Sequence, residues 1–305
     1  MINDRLIWLN GELVPAQEAK INVLSPTSQF GANVFEGIRC YWSNSDNQLY
    51  AFRLEDHIDR LQRSIRMIRF DSKYSNSDLH KAFIDTVTAN NYREDIAVRQ
   101  TVFLDGTGSW FATGPVNMFI APIAKARTNF SSLKGIKCCV SSWERINDNS
   151  LSPKVKVGAN YINSRAAQLE ALQNNYDSAI FLNHTGKISE GPGSCLFIVR
   201  NGKLITPSLS SSILESITRE TIIELAKTEL GLDVIEREID RTELYISEEA
   251  FLCGSAVEIT PITNIDGFLL KSLEKESLTH KLHTLYLQAV TGELKQYNHW
   301  LTKIY

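Results

Sequence analysis

The sequence predicts a chain of two domains, each mixing β-strands with α-helices. Three observations carry this reading. The length of 305 residues suits two ordinary domains. The segment KARTNFSSLK, beginning at Lys125, loses apolar periodicity and gains small polar residues, as a linker does. On either side of it, short strand-like apolar runs alternate with stretches of helical spacing. The expected boundaries are 1–124 for the first domain, 125–135 for the linker and 136–305 for the second.

The elements follow in order. In LIWLNGELVP two apolar runs flank Asn10-Gly11, the dipeptide that supplies the positive φ angles of a type I' hairpin turn. Leu54, Ile58, Leu61, Ile65 and Ile68 recur at steps of four and three, one stripe of an amphipathic helix over 54–70, with Arg60 and Arg63 away from the stripe centre. IAVRQTVFL (96–104) and NMFIAPIA (117–124) read as strands. Beyond the linker, strands are expected at 136–141, 178–182, 194–199 and 203–205, and helices over 217–230 and from Leu278 to about Val290. No internal repeat or heptad pattern runs through the chain.

Composition excludes several functions. With 43% apolar and 22% charged residues the chain is a folded protein and not a disordered or fibrous one. A net charge of -3, from 32 basic and 35 acidic side chains without long runs of one sign, argues against nucleic acid as a partner. Nowhere do enough apolar residues run together to span a membrane, and MINDRLIWLNGELV has neither the basic start nor the cleavage site of a secretory leader, so a cytoplasmic protein is expected. The five cysteines (Cys40, Cys138, Cys139, Cys195, Cys253) form no CxxC pair and read as buried thiols. His280 and His283 stand three apart on the last helix without a ligand-spaced carboxylate; a solvated helix face is the expectation, and no metal. Gly106-Thr107-Gly108 and Gly191-Pro192-Gly193 do not match GxGxxG between a strand and a helix.

One lysine stands apart. Lys156, in KVKVGANY, is followed at once by small and apolar residues. An amine in an apolar niche loses stabilisation of its charged form and can then form an imine with an aldehyde.

Lys156-x-Gly158-x-Asn160-Tyr161 resembles the Schiff-base segment of the branched-chain amino acid aminotransferases, members of the class IV, fold-type IV pyridoxal-phosphate family. Further segments resemble that family at matching distances: Phe30-Gly31 with Val34-Phe35-Glu36-Gly37-Ile38-Arg39, then His57-Ile58-Asp59-Arg60-Leu61, Ile188-Ser189-Glu190-Gly191-Pro192-Gly193, Ile217-Thr218-Arg219, and Gly254-Ser255-Ala256 with Glu258-Ile259-Thr260-Pro261. The resemblance implies an α+β two-domain fold, a smaller amino-terminal domain and a larger carboxy-terminal one with a β-barrel-like core, with the cofactor pyridoxal 5'-phosphate between them. It implies a homodimer or a higher homo-oligomer, in which each substrate pocket borrows a loop from the neighbouring subunit.

The same resemblance assigns roles that the chemistry supports. Lys156 is the catalytic residue, holding the cofactor and then carrying a proton from the substrate α-carbon. Glu190 keeps the ring nitrogen protonated, so that the ring draws electrons. Tyr161 lies against the ring. Ser216, Ile217 and Thr218, where a helix begins, offer phosphate the positive end of a dipole, and Ser216 can equally cap that helix. Ser255 adds a hydroxyl and Arg60 a charge. The resemblance implies an amino acid and a 2-oxo acid as substrates, with 2-oxoglutarate as acceptor. The expected donor is an L-amino acid, branched-chain or similarly apolar, contacted by Phe30, Phe35, Gly37, Arg39, Ala97, Arg99, Ser255 and Ala256.

The chain departs from the family pattern at Phe30 and Ala97, where tyrosines are usual, at Ser216, where glycine is common, and at Cys195, where asparagine is common. The linker also lacks the tryptophan that some members place over the substrate. These departures leave open an unusual donor from a specialised biosynthetic pathway. A D-amino-acid transaminase, an R-amine transaminase and an aminodeoxychorismate lyase are the same-fold alternatives; a cofactor-retaining scaffold protein is the non-catalytic one.

Overall fold

A computed structural model describes residues 5–305. They form two compact units, and the chain first passes from one to the other between Arg127 and Thr128. In chain order the elements are β1 (Leu6–Leu9), β2 (Glu12–Pro15), α1 (Pro26–Phe30), β3 (Asn33–Ser43), β4 (Gln48–Phe52), α2 (Leu54–Met67), α3 (Asn76–Asn90), β5 (Ile96–Leu104) and β6 (Val116–Ala124). There follow β7 (Ile136–Glu144), α4 (Tyr161–Gln173), β8 (Ser178–Leu182), β9 (Cys195–Arg200), β10 (Lys203–Thr206), α5 (Ile217–Leu230), β11 (Ile235–Glu236), β12 (Glu249–Gly254), β13 (Glu258–Ile265), β14 (Phe268–Leu269), α6 (Leu278–Val290) and β15 (Leu301–Lys303).

The first unit comprises residues up to Arg127 together with Val155–Ala159 and Ala289–Tyr305. These last two segments differ from the expectation of one continuous domain over 136–305. They join the first unit through long-range pairing: Val157 bridges Val34 and β15 pairs antiparallel with β4, contacts that no local sequence signal announces. The sheet runs β15-β4-β3-β5-β6-β1-β2. Alternation along β5 sends Ile96, Val98, Val102 and Leu104 into the core with Val34, Ile38 and Cys40 of β3, where the α2 stripe of Leu54, Ile58, Leu61 and Ile65 closes over them with Leu79, Phe83 and Val87 of α3. Asn10 and Gly11 take φ of 54° and 108° in the first hairpin, the backbone that Asn-Gly favours.

The second unit, Thr128–Lys154 with Asn160–Gln288, holds an eight-stranded mixed sheet, seven strands in the order β11-β10-β9-β12-β13-β7-β8 with β14 paired to β13, curled into a half-barrel. Its two faces are separately packed. Cys138, Val140 and Ile180 join Leu196, Ile198, Ala250, Leu252 and Ile262 in the larger core, while Cys139, Ala179 and Phe181 pack under Ala167 and Ala171 of α4. All five cysteines are buried. No helix among the described residues is long and apolar enough to cross a membrane.

Two polar residues sit otherwise than their helical positions suggested. Arg60 is 4% exposed and His283 only 1%, so neither rides on a solvated face. His283 Nε2 lies 3.0 Å from Thr128 Oγ1, its ring meets Phe130 edge-on and burial pushes its pKa down to about 4; His280 stacks on the same Phe130 at 4.3 Å. The linker covers that face of α6, which the helix's own sequence could not disclose.

Candidate active site

In the first unit the Lys156 backbone is held from both sides. Its N–H donates to Ser64 Oγ of α2 at 3.3 Å and its carbonyl accepts from Phe35 N of β3 at 3.0 Å. Val155, one residue earlier, is buried in the core, and a Cβ on Gly158, two residues later, would come within 2.5 Å of Asn33 Oδ1. The amine is thereby carried on a fixed strand-like segment, with Nζ 5.2 Å from the Phe35 ring centroid. The Arg99 guanidinium lies over the same ring at 3.7 Å.

Register explains the grouping. In the β3–β5 pairing Phe35 lies opposite Thr101, Gly37 opposite Arg99 and Arg39 opposite Ala97, so these residues share the sheet face turned away from α2 and α3. A Cβ on Gly37 would meet nothing within 4 Å. Arg39 is buried, donates from Nη2 to Lys125 O at 3.0 Å and lies 5.1 Å over the Tyr41 ring. Phe30 ends α1 and is 46% exposed.

Arg60 lies on the opposite, helix-packed side of β3. Its Nε and Nη2 donate to the two carboxylate oxygens of Glu36, each at 2.8 Å, and His57 Nδ1 is 2.7 Å from Glu36 Oε2. Burial alone would raise the Glu36 pKa; the charge of Arg60 and hydrogen bonds from Arg60 and His57 overcome it and hold the carboxyl well below its ordinary range. Burial also lowers the His57 pKa, against the pull of Glu36. Sequence reasoning placed Arg60 in the site and missed Glu36 and His57 as its partners.

In the second unit Glu190 is buried and both its oxygens are engaged. Oε1 accepts from Nε and Nη2 of Arg145 at 2.9 Å each; Oε2 accepts from Leu214 N at 3.2 Å and has Cys195 Sγ at 3.8 Å. Arg145, just past the end of β7, was not foreseen: it reaches Glu190 through the sheet, and nothing near it in sequence marks it. Cys195 lies opposite Cys253 in the β9–β12 ladder. Gly254, ending β12, packs against Gly193, since a Cβ there would lie 3.5 Å from Gly193 O. Ser255, half-buried, and Ala256, exposed, form the turn that follows. Ser216 caps α5, its Oγ accepting from Arg219 N at 3.2 Å, and Ile217 and Thr218 are buried in the first turn. Tyr161 opens α4, with Cε1 4.0 Å from where a Gly193 Cβ would lie. No group of His, Cys, Asp and Glu suited to a metal ion occurs among the described residues.

Known enzymes share this fold. The family Amino-transferase class IV matches residues 33–265. A probable branched-chain-amino-acid aminotransferase of Aquifex aeolicus is 37% identical over 302 residues, covering 98% of this chain and 96% of its own. The branched-chain amino acid aminotransferase of Thermobaculum terrenum, solved in its PLP form, superposes with a TM-score of 0.94 at 42% identity and complete coverage of both chains. That of Thermoproteus uzoniensis, solved with norvaline, gives 0.92 at 41% identity, covering 99% of each chain. The chain belongs to the class IV amino-transferases.

Proposed function

We propose that this protein is a pyridoxal-5'-phosphate-dependent aminotransferase that moves the amino group of an apolar L-amino acid, branched-chain in the first instance, to a 2-oxo acid such as 2-oxoglutarate. The observation that carries the reading is the backbone-clamped Lys156 with its amine beside Phe35 and Arg99. The other donors fit the same cofactor: a buried carboxylate steadied by Arg145, a capped helix amino terminus, and a guanidinium on a rigid ion pair.

Bound pyridoxal 5'-phosphate supplies an aldehyde that captures amines and a ring that accepts electrons from the substrate α-carbon. Lys156 Nζ would hold the group and would carry the proton taken from the substrate α-carbon. Glu190 holds a proton at the ring nitrogen. Tyr161 would help to steady the ring. Ser216, Ile217, Thr218, Ser255 and Arg60 receive the phosphate, the α5 terminus with the favourable sign of its dipole. Arg99 and Arg39 would take the substrate carboxylate; Phe35 and the space over Gly37 would take the apolar side chain, and Phe30, Ala97 and Ala256 are further substrate contacts on this reading.

Single amino acids added to the holoenzyme, with cofactor absorbance followed through one half-reaction, test this. L-Leucine, L-isoleucine and L-valine are expected to bleach the near-visible band, and D-alanine is not. Bleaching by a bulkier amine alone would keep the reaction and replace the donor, the outcome that the missing hydroxyls at Phe30 and Ala97 favour. Pyruvate release without any acceptor would replace the reaction itself by a lyase.

The working unit is a homodimer, acting in the cytoplasm. Trp110 and Phe111, on the loop between β5 and β6, are 72% and 70% exposed and meet edge to face at 5.2 Å, an apolar pair that a second copy would cover. Replacing both with serine is expected to shift sedimentation from dimer towards monomer; an unchanged dimer removes the loop from the interface.

A further inference from the structure

Glu36 projects from β3 towards α2, on the face where its neighbours Val34 and Ile38 are core residues. A carboxylate, a guanidinium and an imidazole are buried together there, all below 6% side-chain exposure. Desolvating ions costs several kcal/mol each and is repaid only by close geometry, so apolar side chains could fill this space at no loss of stability. What apolar side chains cannot do is orient a guanidinium. The group is rigid and planar, and fixing Nε–H and one Nη2–H on the two oxygens of Glu36 fixes the direction of its remaining N–H bonds. The charges of Glu36 and Arg60 offset each other, so what their two-point contact offers an incoming anion is direction.

We propose that Glu36 is the positioning residue of the phosphate site: its two-point grip on Arg60, steadied by His57, sets the plane in which Arg60 receives the cofactor's phosphate ester. This rests on the role given to Arg60 above. It predicts that Glu36 matters for holding the phosphate although its own charge repels it.

The test uses holoenzyme variants, with cofactor release after dilution and the phosphorus NMR resonance of the bound cofactor as readouts. Glu36→Gln, which turns one acceptor into a donor facing Arg60, is expected to speed release about ten- to hundredfold, the range for losing hydrogen bonds to a charged group. It should shift the phosphorus resonance, as should Arg60→Ala, and the double variant should release no faster than Arg60→Ala alone. Arg63→Ala, an exposed position on the same helix, should change neither readout. Should Glu36→Gln not fold, His57→Gln is expected to give a smaller change of the same kind in both readouts. Wild-type or slower release with an unmoved resonance, while Arg60→Ala changes both, overturns the proposal. No response to Arg60→Ala overturns instead the phosphate role of Arg60.

Discussion

Lys156→Ala is expected to reduce multiple-turnover transamination by roughly 10^4-fold or more, because one side chain serves as both covalent anchor and proton carrier. The loss should be chemical and not structural. The fold holds this segment through its backbone, by Ser64 Oγ and Phe35 N, and through Val155 in the core, none of which the substitution touches. The variant should therefore melt as the parent does, and cofactor held by the phosphate donors alone should remain in place. Steady-state assay with leucine and 2-oxoglutarate, beside a melting curve, separates the two. Turnover within about a hundredfold of the parent would mean that another group moves the α-proton, since a lone general acid-base contributes up to about 10^4. An added primary amine restoring part of the rate would be the positive sign of a missing Nζ.

What could be read in the sequence divides by the range of the signal. The α2 stripe and β5 were legible because burial on one side imposes a period on nearby residues. β3 was not: Glu36 and Arg39 are buried in it, and charged residues at inward positions break the alternation by which strands are read. Arg60 illustrates the same limit, since its helical spacing gives no sign of the buried Glu36 carboxylate on β3 that holds it. Arg145 carries no motif of its own and is identified only by where β7 ends. The boundary after the linker was drawn from local signals, and long-range strand pairing groups Val155–Ala159 and Ala289–Tyr305 with the first unit. The chemistry was easier to expect than the geometry: Lys156, Glu190, Ser255 and the α5 start each lie in a short segment that resembles the family, whereas Arg145 lies 45 residues from the Glu190 it holds.

Glu190→Gln is expected to lower kcat by about 10^2- to 10^3-fold, the scale seen when one preorganised electrostatic contact to a reacting group is removed. The amide keeps the shape of the carboxylate and loses its charge, and a neutral partner cannot hold a proton on the ring nitrogen. The surroundings sharpen the effect. Oε1 receives two donors from Arg145 and Oε2 receives Leu214 N–H, so either orientation of the amide sets its NH2 against a donor. Arg145, itself 8% exposed, would be left with a neutral partner, and breaking a buried pair in this way costs about 3 kcal/mol. A fall in kcat and a fall in melting temperature are therefore expected together, and a second variant separates them. Arg145→Met removes the guanidinium and keeps the carboxylate, so it should share the stability loss while retaining much more of kcat, measured with cofactor in excess. If Arg145→Met loses as much activity as Glu190→Gln, the orientation of Glu190 by Arg145 matters as much as its charge. If Glu190→Gln keeps kcat within about threefold, the proton at the ring nitrogen is held by some other group, and Glu190 is a structural partner of Arg145 alone.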